Sequence, residues 1–280
     1  MRAAVFYGPG VNVTSLGHRT DLALLRLGGT LVQDRGDHLV VRSPHNPAHW
    51  WGNFLLLPAV PAPRDTAAWL DRFAAEFPDA EHVALGFDGV DDRPDALTAL
   101  TGHGLHAAAT TVMTATAVHL PRHCDRRATC RPLTSDADWE QAVELQVLCH
   151  QHDDGGDPAD HRVFATAKAL TDRRLVEAGH GARFGAFTDG LLVAQAGLFT
   201  AEPGLVRFQS VQTHPGFRGR GLAATLVHRL GHHGFDALGA VTLVMVVDPG
   251  HPAIRLYRSL GFTGSQAQLQ AHRPPAHGPA

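Results

Sequence analysis

The alternation of apolar and polar positions divides the chain into two stretches that repeat one order of elements. In the first stretch, Leu22, Leu24, Leu25 and Leu27 predict a short helix within residues 13–27, stopped by Gly28-Gly29. His38 to Arg42 and Asn53 to Val60 read as strands on either side of a loop rich in breakers, Ser43 to Gly52. Asp65 is placed to cap a helix from Thr66 to about Phe77, with Trp69, Leu70, Phe73 and Ala74 on one face. His82 to Phe87 follows as a buried-type strand, Pro94 to Leu105 as a helix ending in glycines, and Thr110 to Leu120 as a strand.

The second stretch opens with a strand at Cys130 to Thr134 and a helix start at Ser135, whose cap partner is Asp138. Trp139, Ala142, Val143 and Val147 form the buried face of that helix, and Arg162 to Glu177 is a second helix. Phe184 to Phe187 and Leu191 to Phe199 pair as a hairpin around Thr188-Asp189-Gly190. A strand from Leu205 to Thr213 is broken by Pro215 and Gly216, and a helix follows with Leu222, Ala223, Leu226, Val227 and Leu230 in period. Val241 to Val247 is the next strand and Ala253 to Leu260 the next helix. The similar order of the two stretches suggests an internal duplication, with a domain at 1–127, a second at 128–270 and a disordered tail at 271–280.

The junction from Val211 to Ala223 carries the chemistry. Strand, glycine turn and helix together make a cradle for an anion. Gly219 and Gly221 allow close backbone approach, and the helix N-terminus offers unpaired N–H groups. Arg218 and Arg220 add planar cationic forks suited to phosphate oxygens. The Lys and Ser/Thr of a nucleotide-triphosphate loop are missing, which argues against an NTPase.

The spacing Arg218-x-x-Gly221-x-Ala223, with Ala253-x-x-Leu256-Tyr257-x-x-x-Gly261-Phe262 downstream, resembles the two signatures of the GNAT superfamily of acyl-CoA-dependent N-acetyltransferases. The resemblance carries motifs over about residues 130–265 and only an order of elements over 1–127. It implies an α/β fold with an α+β mixed sheet: two tandem domains, each a mostly antiparallel central sheet with a splayed strand pair flanked by helices. It implies that acetyl-CoA enters between the strands Leu205 to Thr213 and Val241 to Val247. Backbone groups of Val211 and Thr213 would pair with the pantetheine arm. N–H groups of Gly219, Arg220, Gly221, Leu222 and Ala223 would take the pyrophosphate, with added charge from Arg218. Tyr257 matches the general acid at the leaving thiolate.

No carboxylate lies on the central strand, which offers Arg207, Gln209 and Ser210, so the base candidates are His150, His152, Asp153, Asp154 and Asp157. Gly250 stands where many relatives carry an Asn that touches CoA. In the first stretch, Pro58 to Asp65 replaces the phosphate loop with three prolines and no glycine, so that copy is expected to hold no CoA. The expected reaction moves an acetyl group to a primary amine of a small molecule or peptide. The alternative is a non-catalytic acyl-CoA-binding sensor or scaffold.

Composition adds limits. The chain has 280 residues, 44% of them apolar, and a formal net charge of −3, which gives no basic surplus for nucleic acid. Three cysteines make no paired framework and suit a reducing cytoplasm, the expected location. No apolar run is long enough to span a bilayer. His228 and His232 share a predicted helix face, but no third ligand is in register and no metal is expected. Trp50 and Trp51 read as packing residues at the junction of the halves, the alternative being the wall of an acceptor pocket.

Overall fold

The computed structural model describes residues 5–6, 11–89, 94–125, 127–153, 155 and 157–275. It forms two compact units, residues 1–112 with 265–280, and residues 113–264. The boundaries fall inside two strands, one of them near the end of the chain, where the sequence suggested a cut at the polar segment around residue 127.

In the first unit, β1 (Val5–Phe6) and β2 (Asn12–Val13) pair as a short ribbon ahead of α1 (Leu16–Leu27). Then come β3 (Leu31–Asp34), β4 (Leu39–Arg42), β5 (Phe54–Leu57), α2 (Thr66–Glu76), β6 (Val83–Phe87), α3 (Pro94–Thr101) and β7 (His106–Ala115). The last strand of the chain, β13 (Thr263–Arg273), pairs antiparallel with β6 from Leu269↔Phe87 to Arg273↔Val83. The sheet order here is β3-β4-β5-β6-β13. Ala271, His272 and Arg273, expected in a disordered tail, are therefore strand residues; the tail beyond 275 lies outside the described residues. The reason is burial: Leu269 and Ala271 fill the core around Leu55, Phe73, Leu85 and Phe87. Asp65 lies at the N-cap of α2 but is itself helical, and its side chain makes no cap bond. Trp50 and Trp51 pack against the core formed by Leu39, Val41, Phe54 and Leu56.

The second unit runs through β8 (Thr129–Pro132), α4 (Asp136–Asp153), α5 (Pro158–Glu177), β9 (Gly181–Thr188), β10 (Leu191–Glu202), β11 (Leu205–Thr213), α6 (Leu222–Ala237), β12 (Thr242–Val247) and α7 (Ala253–Ser259). The strand order is β12-β11-β10-β9-β8. The α4 start is a capping box. The Asp138 N–H donates to Ser135 Oγ at 3.2 Å, and the Ser135 N–H donates to Asp138 Oδ2 at 3.1 Å. Arg131 adds a two-pronged pair to Asp138, which holds that carboxyl well below the usual range. Helix α5 begins before the expected Arg162, because Pro158 occupies its first turn and Asp157 caps it, accepting from the Ala159 N–H at 2.8 Å. The hairpin turn has Asp189 at φ 50° and Gly190 at φ 81°, the two positive values that suit the twist of a tight hairpin. Helix α6 packs on one face of this sheet, with Gly234 set against Leu198 and Val206. Helix α4 packs on the other, its Ala142 carbonyl bonded to Gln195 of β10.

Candidate acyl-CoA site

Strands β11 and β12 are parallel and pair only at Leu205↔Thr242, Val206↔Leu243 and Arg207↔Val244. Beyond Arg207 the two strands separate, and a local cause is visible. The β10–β11 register slips between Gln195 and Gly197, where β11 carries an extra residue, and Ser210 there has φ 50°. A bulge of this kind bends the strand that holds it. The first unit makes an informative contrast. Its parallel pair β5–β6 stays matched through Leu57↔Phe87, and the Asp88 N–H donates to the Leu57 carbonyl at 2.9 Å. The splay expected in both copies is thus present in the second alone.

The open end of β11 leads directly into the glycine turn. His214 closes a one-turn segment: its Nδ1 accepts from the Gly216 N–H at 3.1 Å and its carbonyl from the Phe217 N–H at 2.8 Å. Gly219 has φ 78° and Gly221 φ 80°, the left-handed region where a side chain is strained. At Gly221 a Cβ would also lie 2.3 Å from the His123 carbonyl oxygen, so this position admits only glycine without a shift. The first helical bond of α6 is Thr225 N–H to the Gly221 carbonyl at 3.0 Å. Among the described residues, the N–H groups of Gly219, Arg220, Gly221, Leu222, Ala223 and Ala224 donate to no protein acceptor. They form the concentrated donor array that a helix N-terminus offers an anion.

The two arginines of the turn differ. Arg220 is exposed, stacks 4.6 Å over the Phe217 ring and donates to the Gly216 carbonyl at 3.1 Å. Arg218 is anchored to Asp153 at the end of α4 by two bonds of 2.8 Å, and its Nε donates to the Thr213 carbonyl at 3.2 Å. That guanidinium pulls the Asp153 carboxyl down to about 2. Cys149, one turn earlier on α4, sets its Sγ 3.5 Å from the same Thr213 carbonyl, and burial pushes its thiol up. The Arg218–Asp153 pair was not legible in the sequence, because its partners lie 65 positions apart.

Tyr257 sits on α7 with 6% of its surface exposed, its ring 6.3 Å from that of Phe262. Burial alone pushes its hydroxyl up to about 12, so it stays protonated across the physiological range. Of the base candidates, Asp153 is held by Arg218 and Asp157 caps α5, while Asp154 lies outside the described residues. His152 Nδ1 is 3.0 Å from Asp153, and His150 stacks on His161 with ring centroids 3.8 Å apart. Gly250 donates to Asp248 at 2.7 Å. No cluster of three or more ligating side chains occurs among the described residues, and none of their helices is long and apolar enough to cross a membrane.

A buried polar chain crosses the sheet beneath α4 and α5. Asp172 of α5 bonds both Lys168 and Arg183. Arg183 Nε donates to Gln195 Oε1 at 3.1 Å, and Gln195 Nε2 donates to the Ala142 carbonyl and to Gln212 Oε1, each at 2.9 Å. The sequence carried a signal for this chain: Gln195 stands alone in the apolar run Leu191 to Phe199, and a buried amide requires partners.

Comparison with known proteins agrees with this geometry. A sequence model described as the acetyltransferase (GNAT) family matches residues 139–262. No curated protein matches the sequence. Among solved structures, a GCN5-related N-acetyltransferase from Kribbella flavida is similar with a TM-score of 0.62 at 18% identity, over 94% of this chain and 98% of that one. A tandem GNAT protein from the clavulanic acid biosynthesis pathway is similar with a TM-score of 0.56 at 15% identity, over 95% and 90%. A functionally unknown conserved protein from Staphylococcus epidermidis gives 0.64 at 11% identity, over 87% and 93%. Residues 139–262 thus match the acetyltransferase (GNAT) family, within a chain whose fold is similar to that of GNAT proteins, a tandem one among them.

Proposed function

We propose that the second unit moves an acetyl group from acetyl-CoA to a primary amine of a small molecule or peptide, by direct attack in a ternary complex. The observation that carries this reading is the separation of β11 from β12 beyond Arg207, beside a turn whose N–H groups lack protein partners. The His214 N–H donates to the Val193 carbonyl, so by strand alternation the amide of Thr213 faces the opposite edge, toward the gap. The Thr213 carbonyl is used by Arg218, which leaves the Thr213 N–H and the Val211 backbone for the pantetheine arm. The N–H groups of Gly219, Arg220, Gly221, Leu222 and Ala223 take the pyrophosphate. Arg218 and Arg220 supply positive charge at the same place, Arg218 with part of its charge offset by Asp153.

When bound, acetyl-CoA supplies the thioester. Tyr257 then acts on the leaving sulfur. A hydroxyl at about 12 lies well above a thiol of ordinary acidity, about 8.5, so full proton transfer is uphill and Tyr257 serves as a hydrogen-bond donor to the forming thiolate. The test is thiol release from acetyl-CoA on addition of amines. A folded protein that binds acetyl-CoA and acetylates no amine in a broad panel contradicts this reading. It would favour the second reading, a non-catalytic acyl-CoA-binding protein. The feature behind that second reading is the lack of a carboxylate on β11.

A further inference from the structure

We propose that Gln212 is the fixed hydrogen-bond donor of an acceptor pocket on the α4 side of β11, selecting amines that carry an uncharged carbonyl oxygen, such as amino-acid amides and peptide amino termini. The inference rests on the acyltransferase reading above.

The argument begins with groups whose hydrogen-bonding sense cannot change. Arginine only donates and a backbone carbonyl only accepts. Arg183 therefore requires the oxygen of Gln195 on its side, and the Ala142 carbonyl requires the nitrogen on the other. These two constraints set the Gln195 amide one way round. Its nitrogen then turns the oxygen of Gln212 inward at 2.9 Å. Gln212 is left presenting its NH2 group, which has no partner among the described residues, at a residue that keeps partial exposure. Asp172 anchors the start of the chain and meets the charge of Arg183, with both residues nearly sealed from solvent at 2% and 3% exposure. The relay thus ends in an uncharged, oriented donor.

Position gives the donor its use. Gln212 lies past the bulge at Ser210, on the part of β11 that has left β12. Its side chain is on the face that meets α4, through Gln195 and the Ala142 carbonyl. The glycine turn instead feeds α6, which covers the opposite face. An acyl-CoA with its phosphates at the start of α6 brings its thioester into the gap from that face, so the amine is left the α4 face. There it meets Gln212. An N–H donor calls for an oxygen on the acceptor, and an amide without a counter-charge of its own suits a neutral oxygen better than a carboxylate that must shed its hydration.

The test uses the full chain at saturating acetyl-CoA. Thiol release is measured with matched acceptors, phenylalaninamide against phenethylamine and alaninamide against ethylamine, with free alanine as the carboxylate arm. Wild type is compared with Gln212→Glu, which keeps an oxygen for Gln195 but removes the donor, and with Gln212→Met. The expected result is a wild-type preference of about tenfold or more in kcat/KM for the amides, collapsing in both variants while acetyl-CoA affinity by calorimetry holds. A preference that survives in both variants overturns the assignment. An equal loss for amides and simple amines also overturns it, placing Gln212 at the thioester or in the fold instead. A preference for free alanine over alaninamide overturns the neutral-carbonyl class. Acetyl-CoA binding without thiol release from any of these amines in wild type is a different failure: it removes the acyltransferase reading, and this assignment with it.

Discussion

Gly219 and Gly221 share a backbone conformation but not a neighbourhood, and this makes a matched pair of substitutions informative. Both have φ close to 80°, so alanine at either pays a left-handed cost of about 1–2 kcal/mol. Alanine also narrows the unfolded ensemble, which returns about 0.4–1 kcal/mol. For Gly219→Ala nothing lies within 4 Å of the new Cβ, so a net loss of about 0–1.6 kcal/mol is expected. For Gly221→Ala the Cβ falls 2.3 Å from the His123 carbonyl oxygen and 2.8 Å from its carbon, backbone atoms that cannot swing aside as a side-chain tip can. Overpacking of this kind adds about 1–3 kcal/mol, for a total of about 1–4.6 kcal/mol. Urea unfolding followed by circular dichroism reads both values. Equal losses at the two positions, or a Gly221→Ala protein as stable as wild type, would refute the reasoning that the His123 carbonyl leaves no room for a side chain at Gly221.

Other expectations follow from the same geometry. Tyr257→Phe should lower kcat by about tenfold or more with acetyl-CoA affinity retained, and because the hydroxyl ionises only near 12, the wild-type pH–rate profile should show no descending limb from it below pH 10. Asp153→Asn removes the anion beside Arg218 and should raise acetyl-CoA affinity by about two- to fivefold at low salt, less at high salt; an affinity that falls would make the pair a strut for the turn. In the first unit, burial pulls His82 and His272 below the ordinary histidine value. The unfolded chain therefore binds more protons below about pH 6.5, so this contribution to stability is present above that pH and lost as pH falls through the folded values. A double His82→Gln, His272→Gln variant should show a flatter dependence of urea stability between pH 7 and 5.

Much of the second unit was legible because local and long-range signals agree there. The apolar run of β11, the two positive-φ glycines and the periodic face of α6 each require what the others require. The first unit was read less well at its edges. Strand β3 is short, its side chains alternating between exposed and half-buried, so it carries little apolar signal. Strand β5 ends at Leu57 rather than Val60 because Pro58 cannot extend a ladder. Strand β13 was missed although Gln266, Gln268 and Gln270 alternate with Ala267, Leu269 and Ala271 in the period of a half-buried strand, because two of those three apolar positions are only alanine and give a weak hydrophobic signal. Gln268 is nonetheless buried, donating to Asp21 at 2.9 Å, and Gln266 accepts the Leu16 N–H at 2.8 Å. At the site, backbone features were foreseeable from glycine spacing, whereas Arg218–Asp153 and the Asp172–Arg183–Gln195–Gln212 chain join side chains on different elements and emerge only when the chain is folded.

The claim at the centre of this account is that acyl-CoA is held by the second unit and not the first. It follows from the contrast between β11–β12, which part beyond Arg207, and β5–β6, which stay paired through Leu57↔Phe87. Calorimetric titration of the full chain with acetyl-CoA tests it directly. One site per chain is predicted. Two sites would mean that the closed pair of the first unit opens for ligand, and no binding by a well-folded protein would contradict the account.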